Sequence, residues 1–376
     1  MEKYTVIIPT RDRAETLEFA LKTCVNQEYA NFQIIVSDNC SVDNTVEVVS
    51  RYSQPNVIYI NPGRRVSMAE NFEFALSHVD EGFVMFIGDD DGLIPGCIEY
   101  VAEIQKKYGV LAISGENAEY CWPNFPDPAR KNLLKWGSSY KCLEIRSAAH
   151  WVRRCLEFKD IYTFDMPKLY HGFVHKSIID KARCSGQYFN SITPDAYSAF
   201  ATAFFIDKYA FSLRPFTIGG ASGKSNGVSG IDPSGQGEES KKFFIENTIE
   251  FHPSYVSCAS LEVYMAETFS QFADRFPKET SGFSVNIERM LRSAQANANG
   301  RTRSAVQGAV AEMSDLHGVK VDGRSLTFQF SQMCRLVRRI WSRIKTLVLG
   351  GRIPDVAAHG VHDVYGASLF ISKSFK

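Results

Sequence analysis

The stretch FVMFIGDDDGLIPG, residues 83–96, runs an unbroken apolar segment into three consecutive aspartates, Asp89, Asp90 and Asp91, and leaves through Gly, Pro and Gly. Apolar residues at successive positions, and not at alternate ones, read as a strand buried on both faces. Adjacent carboxylates repel one another, more steeply as the surroundings lose water, so such a triplet belongs either in a solvated turn or around a cation. Mg²⁺ and Mn²⁺ prefer carboxylate oxygens and are commonly held by one or two of them together with substrate phosphates.

The same apolar pattern recurs in YTVIIP (4–9), FQIIVS (32–37), NVIYI (56–60) and VLAIS (110–114), with helical periodicity between the runs. Together they predict an α/β fold, a mostly parallel sheet covered by helices. Ser67 and Glu70 form a capping box that opens a helix, and Pro95 suits the first turn of a helix reaching Lys107. In open α/β sheets ligands bind beyond the carboxyl ends of the strands. Those ends carry PTRDR (9–13), SDNCS (37–41), NPGRR (61–65) and the aspartates, so carboxylate, guanidinium and amide groups are expected on one edge. The plainer readings are Asp38 as a helix cap and Arg64 and Arg65 as surface charges. No G-x-G-x-x-G follows the first strand and no G-x-x-x-x-G-K-[ST] occurs, which disfavours a nicotinamide site and a P-loop. Phosphates would then be held by a metal on the aspartates.

TVIIPTRDRAETLEFALKTCVNQ, FQIIVSDNCSVDNT and FIGDDDGLIPG, in that order, resemble a family 2 glycosyltransferase of the GT-A fold, the third stretch standing in place of its D-x-D motif. The resemblance covers about the first 115 residues and thins towards 226. It implies a nucleotide-sugar donor, usually a UDP-sugar, Mn²⁺ or Mg²⁺ on its diphosphate, and inversion at the anomeric carbon. Carried over by position, it puts Pro9, Thr10 and Arg13 near the nucleotide, Asp38 and Asn39 at the base, and Arg64 and Arg65 near base or diphosphate. The triplet fills the ribose and metal roles, Asp89 and Asp90 towards the donor and Asp89 and Asp91 towards the metal. Gly88 stands where many relatives carry their first acidic residue. Removing Asp91 from so like-charged a cluster is expected to cost no packing.

Inverting transfer needs a base for the acceptor hydroxyl, and Asp195, in SITPDAYSAFATAFF (191–205), is the candidate. The resemblance supports it, since relatives carry an acidic residue before a helix at this place; the plainer reading is a helix N-cap. The segment 219–237 is rich in Gly and Ser, reads as a loop able to close over the donor or as a plain connector, and brings Lys224 towards the diphosphate. His171, His175 and His252 receive no role.

The 42 basic residues balance the 42 acidic ones, which argues against a nucleic-acid partner. Nine scattered cysteines without a C-x-x-C pair read as reduced thiols in a cytoplasmic protein. The amino terminus lacks the pattern of a signal peptide, and nowhere do about 18 apolar residues run together, so no membrane span is expected. Residues 334–352, CRLVRRIWSRIKTLVLGGR, hold six basic residues and no acid, with the apolar ones on one helical face. They read as an amphipathic helix lying on an anionic membrane surface or packed on the protein. The expected division is a GT-A catalytic domain at 1–230, a mostly helical extension at 231–330, and the basic helix and tail at 331–376. The acceptor is expected to be a saccharide or lipid-linked saccharide. A sugar nucleotidyltransferase and a non-catalytic glycan-binding module on the same sheet are the alternatives; the first would need a glycine-rich first loop, the second would predict loss of the aspartates or Asp195.

Overall fold

The computed structural model describes residues 1–159, 163–225, 245–298, 300–321 and 350–375. The first half alternates strands and helices: β1 (Tyr4–Thr10), α1 (Ala14–Val25), β2 (Phe32–Asp38), α2 (Thr45–Ser50), β3 (Val57–Ile60), α3 (Met68–Leu76), β4 (Phe83–Phe86), β5 (Gly92–Leu93), α4 (Cys97–Tyr108) and β6 (Ala112–Gly115). Then come β7 (Ala118–Cys121), β8 (Leu134–Trp136), β9 (Leu143–Ser147), α5 (Ala148–Leu156), β10 (Phe173–His175), α6 (Lys176–Lys181), α7 (Pro194–Ala203), β11 (Lys208–Ser212) and β12 (Thr217–Ala221). Beyond these lie α8 (Leu261–Arg275), α9 (Ile287–Asn297), α10 (Arg303–Leu316), β13 (Gly351–Ile353) and α11 (Val364–Ser372).

An eight-stranded sheet has the order β3-β2-β1-β4-β10-β6-β11-β9. β1 to β4 run parallel, as the apolar runs predict, and β10 enters antiparallel between β4 and β6. Successive residues of each central strand serve opposite cores. Val6, Ile8, Ile34, Val36 and Met85 pack under α1 and α4. Ile7, Ile35, Val84 and Phe86 pack with α3, α7 and the helices α8 to α10. The helical extension therefore shares the core of the sheet. Ser67 and Glu70 make the expected capping box of α3. Pro95 precedes α4, whose N-cap is Gly96 in the left-handed region, so it stands outside the first turn.

A second sheet, β13-β8-β7-β12-β5, was not legible in the sequence. Its strands are short, and its edge strand comes from the carboxyl-terminal end: Gly351–Ile353 pairs antiparallel with Leu134–Trp136. Arg352 thus stands on a strand and not in the basic helix, because the two glycines before it let the backbone lie against Trp136, where any side chain at 351 would collide. Residues 334–349 lie outside the described residues. Val356, Val361, Val364, Ala367 and Ile371 close the core of the second sheet with Tyr120, Trp136 and Ile218. Residues 247–260, expected to be helical, are irregular before α8.

Candidate active site

The carboxyl ends of β1, β2 and β4 meet at one edge, with Thr10 paired in register with Asp38. Directly after β4 the chain turns through Gly88 and the aspartates into β5, and the antiparallel pairing of β5 with β12 delivers residues 220–222 against them. Leu169, Tyr170 and His171 arrive from the other side, because the chain there bridges the end of β4: the Phe86 amide donates to Leu169 and the His171 amide to Phe86.

The triplet is not a solvated turn. Asp89, Asp90 and Asp91 are 3%, 4% and 2% exposed. Asp89 accepts from Thr10 Oγ1 at 2.8 Å and from Arg13 Nη1 at 3.2 Å. Asp90 accepts from Ser222 Oγ at 2.7 Å, from the Ser222 amide at 3.2 Å and from the Ser225 hydroxyl. Asp91 accepts from the Gly88 amide at 2.6 Å, the Gly220 amide at 2.7 Å and the Tyr170 hydroxyl at 2.7 Å, and its Oδ2 lies 3.0 Å from His171 Nε2. Gly220 is required there, since a Cβ would strike the Asp90 carbonyl.

Burial and the two neighbouring carboxylates push Asp90 up to about 6. Burial also raises Asp89, against the pull of Arg13 and Thr10. Burial acts on Asp91 in the same sense, but the His171 ring and the hydrogen bonds from Tyr170 and Gly220 outweigh it and hold this carboxylate below its usual range. The pattern is that of a buried anionic cluster short of positive charge, the setting in which a divalent cation is taken up. Among the described residues no three His, Cys, Asp or Glu side chains converge as a closed metal site. A cation would accordingly take one or two of these carboxylates and complete its shell from the ligand and water.

The other expected residues divide. Asp38 is buried and accepts from the Ser41 amide at 2.9 Å and from Tyr59 Oη at 2.6 Å, so it shapes its own turn and does not cap α2, whose N-cap is Asn44. Asn39 spends its side chain on both backbone groups of Val66, at 2.7 and 2.9 Å. Pro9 is the half-buried penultimate residue of β1. Arg65 pairs with Asp12, while Arg64 is an exposed side chain 3.9 Å from Glu70. Arg13 also donates to the Lys224 carbonyl, and Lys224 Nζ lies 3.2 Å from Glu15 at the start of α1. The rest of the glycine-rich segment, 226–237, lies outside the described residues.

Asp195 stands in the first turn of α7 behind Pro194, and the N-cap is Thr193. The plain capping role is thereby excluded for its side chain. Its charge acts on Lys168 and on Tyr170, the same tyrosine that donates to Asp91. His175 caps α6 and His252 pairs with Asp274, both away from the aspartates. Tyr170 escapes the sequence reading, His171 receives no role in it, and Gly220, Ser222 and Ser225 are read only as part of the glycine-rich segment; the pairing of β12 with β5 and the bridge at Phe86 bring them to the triplet.

Residues 5–159 match the family model described as glycosyl transferase family 2. The matched stretch is less than half of the chain and contains β1 to β9 and the aspartate triplet. Among curated proteins, the chain is 34% identical over 101 residues to a GalNAc(5)-diNAcBac-PP-undecaprenol beta-1,3-glucosyltransferase of Campylobacter jejuni, over 26% of this chain and 33% of that protein. It is 23% identical over 192 residues to the uncharacterized glycosyltransferase YibD of Escherichia coli, over 47% of this chain and 54% of that protein. The first curated relatives are thus matched over a third of their length or less. Among solved structures, Staphylococcus aureus TarS 1-349 in complex with UDP-GlcNAc aligns at 14% identity with a TM-score of 0.48, over 85% of this chain and 95% of that one.

Proposed function

We propose that this chain is an inverting glycosyltransferase that moves a sugar from a nucleotide-sugar, a UDP-sugar in the first instance, to a saccharide or lipid-linked acceptor of a surface glycan. The observation that supports the reading is the buried aspartate triplet at one sheet edge, with Arg13 3.2 Å from Asp89 and with Tyr170, which donates to Asp91, under the charge of Asp195. In this reading the β1 and β2 ends, Pro9, Thr10, Asp38 and Asn39, seat the nucleotide. Arg13, Arg65 and Lys224 face its phosphates, with Arg64 at the rim. Asp89 and Asp90 face the donor, and Asp89 and Asp91 hold Mn²⁺ or Mg²⁺. Bound there, the cation neutralises the charge of the departing diphosphate. Asp195 accepts the proton of the acceptor hydroxyl as that oxygen attacks the anomeric carbon and the bond to the diphosphate breaks on the opposite face. The 1–230 segment carries this chemistry, and the basic stretch 334–349 rests against an anionic membrane surface on its cytoplasmic side. Among the described residues no helix is long and apolar enough to cross a membrane.

The test is turnover of UDP-, GDP-, dTDP- and CMP-sugars with and without Mn²⁺, in the wild type and in Asp195→Asn. Release of the nucleotide leaving group that needs Mn²⁺ and falls by about 10²-fold in Asp195→Asn, with nucleotide affinity retained, is the expected result. Equal turnover in the two proteins removes Asp195 from the reaction, and no turnover of any donor removes the reading.

A further inference from the structure

Lys168 lies two residues before Tyr170 and is only 7% exposed. Its backbone is fixed, the amide donating to Ser114 Oγ at 3.2 Å. Its ammonium is not: among the described residues Nζ has no hydrogen bond and no ion pair. The aromatic ring of Phe164, itself largely exposed, stands 5.0 Å away. Two carboxylates bear on it, Asp195 first and Asp165 second. Asp165 is already engaged by Arg146 Nη1 at 2.9 Å. A buried ammonium with no direct hydrogen bond or ion pair is costly, and a fold that keeps one commonly does so for a ligand. Burial pulls it down to about 8, against the two aspartates.

We propose that Lys168 is an oxyanion-binding residue of the acceptor subsite, taking a phosphate or carboxylate oxygen of the acceptor and so placing the attacked hydroxyl beside Asp195. The proposal rests on the reading of Asp195 as the base. An ammonium offers three donors and no acceptor, so an oxyanion satisfies it better than a sugar hydroxyl does. The Phe164 ring forms the adjoining wall.

The full chain, saturated with UDP and Mn²⁺ so that the donor phosphate positions are filled, is titrated calorimetrically with inorganic phosphate, glycerol phosphate and glucuronate. At least one oxyanion is expected to bind, with affinity about tenfold or more weaker in Lys168→Met and retained within about threefold in Lys168→Arg, while UDP affinity is unchanged. The phosphate and carboxylate arms tell which group the subsite takes. The melting temperature of Lys168→Met should equal or exceed that of the wild type, because an uncompensated buried charge has been removed. Equal oxyanion affinity in wild type and Lys168→Met, no oxyanion bound by the wild type, or a Lys168→Met protein that fails to fold each overturns the proposal. Failure of UDP and Mn²⁺ to bind overturns the donor reading instead, and the same titration without UDP still reports on Lys168.

Discussion

At Asp91 one carboxylate collects two backbone amides, a tyrosine hydroxyl and an imidazole, drawn from residues 88, 170, 171 and 220. The expectation that its removal costs no packing considered only the repulsion among the three aspartates, and the donors reverse it. Asp91→Ala leaves several buried donors without a partner, at a cost of about 3–5 kcal/mol. The variant should melt several degrees below the wild type as well as losing Mn²⁺-dependent UDP binding. A scanning-calorimetry trace that superposes on the wild type would show that these contacts hold nothing. Lys168 illustrates the opposite case, a charge that the surrounding residues leave unspent. Neither property is visible in the local sequence, where Asp91 looks like Asp90 and Lys168 sits in an unremarkable MPKLY.

At the scale of elements, the strands that were legible are those with long apolar runs. β1 and β2 bury both faces, and their uninterrupted Val and Ile declare it. β7, β8, β10 and β12 have three to five residues each and were missed, since periodicity needs length and their pairing partners lie far along the chain. On β7, Glu119 pairs with Arg130 and with Lys135 of β8. Burial alone would raise this carboxyl, but Lys135 and Arg130 hold it below its ordinary value. A group depressed in the folded state contributes stability above its unfolded pKa, about 4.3 for glutamate, and loses that contribution as pH falls through the folded value. The gap in melting temperature between wild type and Glu119→Gln should therefore be widest near about pH 6 and close towards about pH 3. A gap that is constant across that range would mean the pairs leave stability unchanged.

For the whole molecule, the carboxyl-terminal 26 described residues, 350–375, finish the second sheet and are not a tail. Removing 350–376 uncovers Tyr120, Trp136 and Ile218 and discards five buried apolar side chains of 356–371. At about 1.5–3 kcal/mol for each Val or Ile this is a large share of an ordinary folding free energy. The truncated chain should be insoluble or strongly destabilised by calorimetry, and a truncation with the wild-type melting temperature would contradict the packing. Membrane contact must accordingly be tested with residues 350–376 in place. Replacing Arg335, Arg338, Arg339 and Arg343 by Glu should abolish co-sedimentation with phosphatidylserine vesicles at low salt. A wild-type chain that ignores such vesicles would leave the basic stretch without a lipid role.

The fastening of the aspartate turn by Gly220 and Ser222 also sets a clock. The Gly220 amide that holds Asp91 lies 129 residues downstream of it, and Ser222 lies 132 residues beyond Asp90. At about 5–20 residues per second, a ribosome needs roughly ten seconds to deliver them after the aspartates have emerged. Through that interval the nascent chain holds the carboxylates without their clasps. A newly made chain therefore gains a finished donor edge only after β12 has left the exit tunnel.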